Sequence, residues 1–207
     1  MRVIKISGGF FQTNTYLLVD GHICIIVDPG EEISEILQML NKLSCTPDRI
    51  VCTHAHFDHI IGVNALKKKF RIPFFIHSED LPILRSQKEF VKLLWGLEIR
   101  DIPQDADGYV EEGDKIGNLK VLHTPGHSPG SITLLGDTFA IVGDLIFKES
   151  VGRTDLPGGD EKTLLSSIAR ILSLPDDTLL YPGHGPKTTV GYEKKFNPVI
   201  QVLNHRI

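Results

Sequence analysis

The chain has 207 residues, 41% of them hydrophobic and 23% charged, with a formal net charge of -4. That balance suits one globular domain spanning residues 1–207 with a substantial core, and gives no bulk electrostatic reason to expect nucleic acid or an anionic membrane as partner. The three cysteines, Cys24, Cys45 and Cys52, form neither a C-x-x-C motif nor a disulfide framework. With no apolar leader at Met1–Ser7 and no bilayer-length apolar stretch, they point to a reducing cytoplasm.

In chain order, Arg2 to Ser7, Asn14 to Asp20 and His22 to Val27 read as strands, the last two joined by a tight turn at Asp20-Gly21. Asp28-Pro29-Gly30 breaks the sheet. Ile33, Ile36, Leu37, Leu40 and Leu43 then recur at helical spacing, which predicts a helix over Glu31 to Leu43. Ile50 to Thr53 reads as a strand, Gly62 to Phe70 as a helix with a basic outer face, and Pro73 to Ile76 as a strand. Leu81 to Leu84 and Phe90 to Leu97 read as two short helices. Strands follow at Leu119 to Thr124, Ser131 to Leu135, Phe139 to Val142 and Thr178 to Tyr181. An amphipathic helix spans Thr163 to Leu174, and one short helix is expected within Glu193 to Val202. Two sheets with helices outside is one compatible layering; a mixed three-layer sheet is another.

Ligand chemistry collects at strand ends. His54-Ala55-His56-Phe57-Asp58-His59 follows the Ile50 strand. His127 lies in Thr124-Pro125-Gly126-His127-Ser128-Pro129-Gly130, Asp144 in Gly143-Asp144, and His184 in Pro182-Gly183-His184-Gly185. Glycine allows tight turns there and proline stiffens them. Seven candidates (His54, His56, Asp58, His59, His127, Asp144, His184) exceed the roughly four that one structural zinc takes. They suit two ions sharing a carboxylate and a water. Imidazole and carboxylate without thiolate fit Zn, Fe or Mn. His22, His77 and His205 read as ordinary polar residues, and Lys67-Lys68-Lys69 as a solvated helix face. His123, beside the second loop, is open to either reading.

Taken together, Thr53-His54-x-His56-x-Asp58-His59, Gly126-His127-Ser128, Gly143-Asp144 and Gly183-His184 resemble the metallo-β-lactamase superfamily, in family order over about residues 12 to 190. The resemblance implies an α/β fold, a four-layer αββα sandwich of two mixed sheets flanked by helices. Within the superfamily the Thr124–Gly130 segment is most similar to glyoxalase II, the hydroxyacylglutathione hydrolases, in a short form without their helical C-terminal domain. Gly152-Arg153-Thr154-Asp155 resembles a segment of their shorter relatives.

The resemblance implies a thioester hydrolase using a hydroxide bridging two divalent ions, zinc first, with iron or manganese as alternatives. His54, His56 and His127 would hold one ion, Asp58, His59 and His184 the other. Asp144 would bridge, and Asp58 would also orient the nucleophile. Thr53 and Ser128 are candidates to steady the imidazoles, and Arg153, Lys194 or Lys195 to bind a substrate carboxylate. The expected partner is a small-molecule thioester. His59 turns the resemblance away from classical lactamases, and His56 from flavodiiron proteins. Lactonases share the ligand set. The rival is a persulfide dioxygenase of the same fold, with one iron on His54, His127 and Asp144.

Overall fold

The computed structural model describes residues 1–204, so His205 lies outside the described residues. The chain divides into two compact units, one from Met1 to Val110 and one from Glu111 onward.

The first unit is built on a six-stranded mixed sheet, in the order β1-β2-β3-β4-β5-β6. Its strands are β1 (Arg2–Gly8), β2 (Thr13–Asp20), β3 (Ile23–Val27), β4 (Thr46–Val51), β5 (Phe74–Ile76) and β6 (Gly108–Tyr109). The pairs β1·β2 and β2·β3 are antiparallel, and β3·β4, β4·β5 and β5·β6 are parallel. The parallel steps need crossovers, which carry the helices α1 (Ile33–Leu43), α2 (Phe57–Ile60), α3 (Val63–Phe70) and α4 (Leu81–Trp95). Leu17, Val19, Cys24, Ile26, Ile50, Cys52, Phe74 and Ile76 pack in one core with Ile36 and Leu40 of α1, Val63 and Leu66 of α3, and Ile83 and Leu84 of α4. The alternate residues Tyr16, Leu18, Ile25, Val27 and Val51 are buried too. Those strands therefore read as near-continuous apolar runs rather than as alternating ones.

Two short helices were expected over 81–97; a single helix, α4, is found. The buried face runs Ile83, Leu84, Gln87, Val91, and the polar Gln87 interrupts the apolar pattern that periodicity follows. Pro82 lies in the first turn, where its missing N–H costs nothing. Gly96, at φ +66°, ends the helix.

The second unit holds a six-stranded mixed sheet in the order β14-β13-β10-β9-β8-β7 and a two-stranded ribbon, β11-β12. The strands are β7 (Lys115–Ile116), β8 (Leu119–His123), β9 (Ile132–Leu135), β10 (Phe139–Gly143), β11 (Ile146–Phe147), β12 (Ser150–Val151), β13 (Leu179–Pro182) and β14 (Thr188–Thr189). Its parallel step, β10·β13, is crossed by α5 (Glu161–Leu172). Leu164, Ile168 and Ile171 of α5 pack on Ala140, Val142 and Leu180. Asp160 caps α5 by accepting from Thr163 N–H at 2.7 Å.

After β14 the chain forms two short helices, α6 (Val190–Phe196) and α7 (Pro198–Asn204), where one was expected. Pro198 forces extended backbone on Asn197 (φ -73°, ψ 115°) and divides them. No helix among the described residues is long and apolar enough to cross a membrane.

Candidate metal centre

The first group of ligand candidates forms where β4 leaves its sheet. Cys52 N–H makes the last ladder bond, to Phe75 O at 3.0 Å. Beyond it the turn needs other acceptors for its buried N–H groups. Thr53 N–H donates to Asp28 Oδ1 (2.7 Å), Ala55 N–H to Asp80 Oδ2 (2.7 Å) and Phe57 N–H to Gln87 Oε1 (2.9 Å). The rings of His54 and His59 lie 4.1 Å apart between centroids, and those of His54 and His56 4.8 Å apart.

The proton positions follow from these contacts. The Thr53 hydroxyl has one proton, donated to Asp28 Oδ2 at 2.7 Å. Toward His54 Nδ1, 3.1 Å away, it is therefore the acceptor, so Nδ1 carries the ring proton and Nε2 keeps its lone pair for a ligand. Asp28 Oδ2 also lies 3.1 Å from His59 Nδ1, which favours the proton there. His59 Nε2 is 3.4 Å from Asp58 Oδ2, the oxygen that accepts from Thr13 Oγ1 at 2.7 Å.

In the second unit β8, β10 and β13 deliver one candidate each. His127 Nδ1 is 2.8 Å from Arg153 O, and a carbonyl only accepts, so this ring too carries its proton on Nδ1. His127 Nε2 is 3.6 Å from Asp144 Oδ2, and His184 Nε2 is 3.5 Å from the same oxygen. Gly143, at φ +52°, turns the chain so that Asp144 leaves β10 beside them. Gly152 leaves no room for a side chain: a Cβ there would lie 1.8 Å from Asp144 O.

These spacings fit metal ligation. The 3.4–3.6 Å separations of Nε2 and Oδ2 exceed an ordinary hydrogen bond. Two ligands at about 2.0–2.2 Å from one tetrahedral zinc stand about 3.4 Å apart. The buried thiol nearby is no ligand. Cys52 Sγ donates to His59 O at 3.3 Å, and burial, then the charge of Asp28, push its pKa well up, so it stays protonated.

Each half thus groups its own sequence-selected residues: His54, His56, Asp58 and His59 in the first, His127, Asp144 and His184 in the second. Arg153 contributes its carbonyl to His127, while its guanidinium forms a bidentate pair with Asp155 (2.6 and 2.7 Å). Lys194 pairs with Asp176 at 2.6 Å, and Lys195 lies over the Phe196 ring. Thr53 reaches His54; Ser128 braces its turn against Ser131 (2.7 Å). His77, read as an ordinary polar residue, accepts from Glu79 N–H, and His123, left open, has Nε2 2.8 Å from Pro129 O. Sequence reasoning missed Asp28, Thr13, Asp80 and Gln87. Only Asp28 carried a signal, as an acid at a strand end, and it was absorbed into a breaker motif.

Residues 8–184 match the metallo-beta-lactamase superfamily, a span that contains both ligand groups. The chain belongs to that superfamily: it has the metallo-β-lactamase fold, two mixed β-sheets flanked by helices, and is a metallo-hydrolase. A probable metallo-hydrolase of Bacillus subtilis, YqgX, is 39% identical over 97% of this chain and 98% of its own. The hydroxyacylglutathione hydrolase GloC of Haemophilus influenzae is 33% identical over 92% and 93%. Two crystal structures match with TM-scores of 0.89. TTHA1623 in a di-iron-bound form is 39% identical, covering 95% of this chain and 100% of its own; the BLEG-1 B3 metallo-beta-lactamase is 38% identical over 96% and 99%.

Proposed function

We propose that the two ligand groups act together as one binuclear metal centre and that the protein hydrolyses thioesters of the hydroxyacylglutathione type. The observation that carries this reading is the oxygen shared in the second unit: Asp144 Oδ2 faces both His127 Nε2 and His184 Nε2 at 3.5–3.6 Å, the arrangement of a carboxylate between two ions. The likeness to GloC supports the substrate class. His54, His56 and His127 would hold the first ion, Asp58, His59 and His184 the second, and Asp144 would be common to both.

When bound, such a pair supplies a hydroxide nucleophile near neutral pH and an electrophilic contact for a developing oxyanion. The protein's own residues prepare it. Thr53 and the Arg153 carbonyl keep the ring protons of His54 and His127 on Nδ1, and the Asp28 carboxylate 3.1 Å from His59 Nδ1 favours the same tautomer there, so Nε2 is presented. Thr13 holds one oxygen of Asp58, leaving the other to orient the nucleophile. The leaving thiolate needs no general acid. Zinc, iron and manganese all suit these donors, and the di-iron form of TTHA1623 makes iron the first alternative to zinc. The three buried free thiols support a reducing, cytoplasmic setting.

The test pairs metal analysis of purified protein with anaerobic hydrolysis of lactoylglutathione. Two ions per chain, oxygen-independent turnover, and loss of both metal and turnover in Asp144→Ala are expected. Full thioesterase activity in that variant removes Asp144 from the mechanism. One iron with oxygen uptake on a glutathione persulfide selects the dioxygenase instead. The likeness to BLEG-1 earns a third arm, a chromogenic cephalosporin, whose turnover at a higher kcat/KM than the thioester overturns the proposal.

A further inference from the structure

The turn that carries four of the proposed ligands follows an alternation. Residues 54, 56 and 58 present side chains; residues 53, 55 and 57, each just before one of them, present backbone N–H groups. Each of those N–H groups is accepted by a side chain from elsewhere in the first unit: Thr53 by Asp28, Ala55 by Asp80 and Phe57 by Gln87. Thr53, Ala55 and Phe57 are all buried, as are the three acceptors. The segment has left its sheet, so without these acceptors the N–H groups would be stranded away from water.

Two of the three acceptors come from one element. Asp80 immediately precedes α4, and Gln87 lies seven residues on, two helical turns along the same face. Both are fixed before they reach the turn. Asp80 N–H donates to His77 O at 3.1 Å, and Gln87 Nε2 donates to Ile83 O at 3.3 Å, which commits Oε1 to Phe57. The His54–Ala55 and His56–Phe57 peptides are therefore both clamped, one by Asp80 at the start of α4 and one by Gln87 within it.

We infer that Asp80 and Gln87 are positioning residues of the metal centre: they fix the His54–Ala55 and His56–Phe57 peptides and so set the aim of the His54 and His56 imidazoles. The inference rests on the binuclear reading above. Gln87→Met keeps the length of the side chain and removes the acceptor; Gln87→Glu keeps an acceptor. Each variant is first stripped with a chelator, and its zinc affinity is measured by competition with a chromogenic chelator, next to urea unfolding of the stripped protein.

The expected result is a 10–100-fold loss of zinc affinity in Gln87→Met, the scale of losing a ligand's supporting partner, with Gln87→Glu within about threefold of the parent. A merely structural contact would lower the urea midpoint and leave zinc affinity unchanged. That outcome, or a loss that Gln87→Glu does not restore, overturns the inference. If Gln87→Met does not fold, Asp80→Leu, which removes the acceptor of Ala55 N–H at similar size, is read in the same assay, and a zinc affinity equal to the parent's overturns the inference. The predicted affinity loss in a protein that hydrolyses no thioester keeps the inference and rejects the substrate reading. A parent protein that binds neither zinc nor iron overturns both.

Discussion

Asp28→Asn is the most direct probe of how the first ligand group is held. The Asp28 carboxylate is fully buried. It accepts from Thr53 N–H and Thr53 Oγ1 at 2.7 Å each and faces His59 Nδ1 at 3.1 Å. Its backbone is left-handed, with φ +50°. Asparagine tolerates that conformation about as well as aspartate, so the backbone contribution largely cancels. What changes is the acceptor set. Hydrogen bonds to a charged group contribute about 1.5–3 kcal/mol each, and a buried donor left unmet costs about 1–3 kcal/mol. An amide offers one acceptor oxygen and turns an NH2 toward groups that are themselves donors. A net loss of about 2–4 kcal/mol follows, well above the 0–1 kcal/mol of an exposed ion pair. Trp95, the only tryptophan of the chain, lies in the same unit and reports its unfolding by fluorescence. In chelator-treated protein the urea midpoint should fall by about 1 M or more, given slopes of about 1–3 kcal/mol per M. A midpoint that stays within about 0.2 M, where the linear slope translates into well under 1 kcal/mol, would refute the view that this carboxylate holds the turn.

Two further outcomes are expected. Gly152→Ala brings a methyl against Asp144 O, and the strand must retreat from both Asp144 and the His127–Arg153 contact; stability should drop by about 1–3 kcal/mol and zinc stoichiometry with it. Gly21→Ala, which meets open space but strains a left-handed backbone at φ +61°, controls for a general loss of stability, and equal zinc content in the two refutes the argument. The second outcome concerns acid. The hydrogen bond from Arg170 holds Glu112 at about 2, below the ordinary 4.5. A depressed carboxylate contributes stability above its unfolded value, and that contribution is lost as pH falls from 4.5 toward 2. The pair is nearly half exposed, so screening keeps the effect below about 1 kcal/mol. Arg170→Gln should flatten that part of the pH–stability curve, and an unchanged slope between pH 5 and 3, roughly the titration range of free carboxylates, counts against the pair.

Much of the fold is legible in local pattern. The stripe Ile33, Ile36, Leu37, Leu40 announces α1, and Leu164, Leu165, Ile168, Ile171 announce α5, because each buries one face. The candidate ligands stand out for a related reason: each group ends an apolar strand, where His or Asp has no structural excuse. What escaped is long-range or masked. Helix α4 read as two pieces because its buried face includes Gln87, and because Leu93, Leu94, Trp95 and Leu97 are exposed although apolar. Asp80 and Gln87 lie 25 and 30 residues from the N–H groups they accept. No local period encodes such a partner. Asp28 was visible only as punctuation beside Pro29, since an acid that breaks a sheet and an acid that anchors a ligand turn look alike until the turn is in place.

The contiguity of the first sheet also bears on how the protein is made. All of its strand pairings join residues between 2 and 109, so the ribosome finishes that ladder before the other half of the chain exists. At about 5–20 residues per second, the remaining 97 residues take about 5–20 s more. For that interval a nascent chain displays His54, His56, Asp58 and His59 before His127, Asp144 and His184 have been synthesised. On the binuclear reading proposed above, metal that meets the growing chain would encounter only the ligands of the first group.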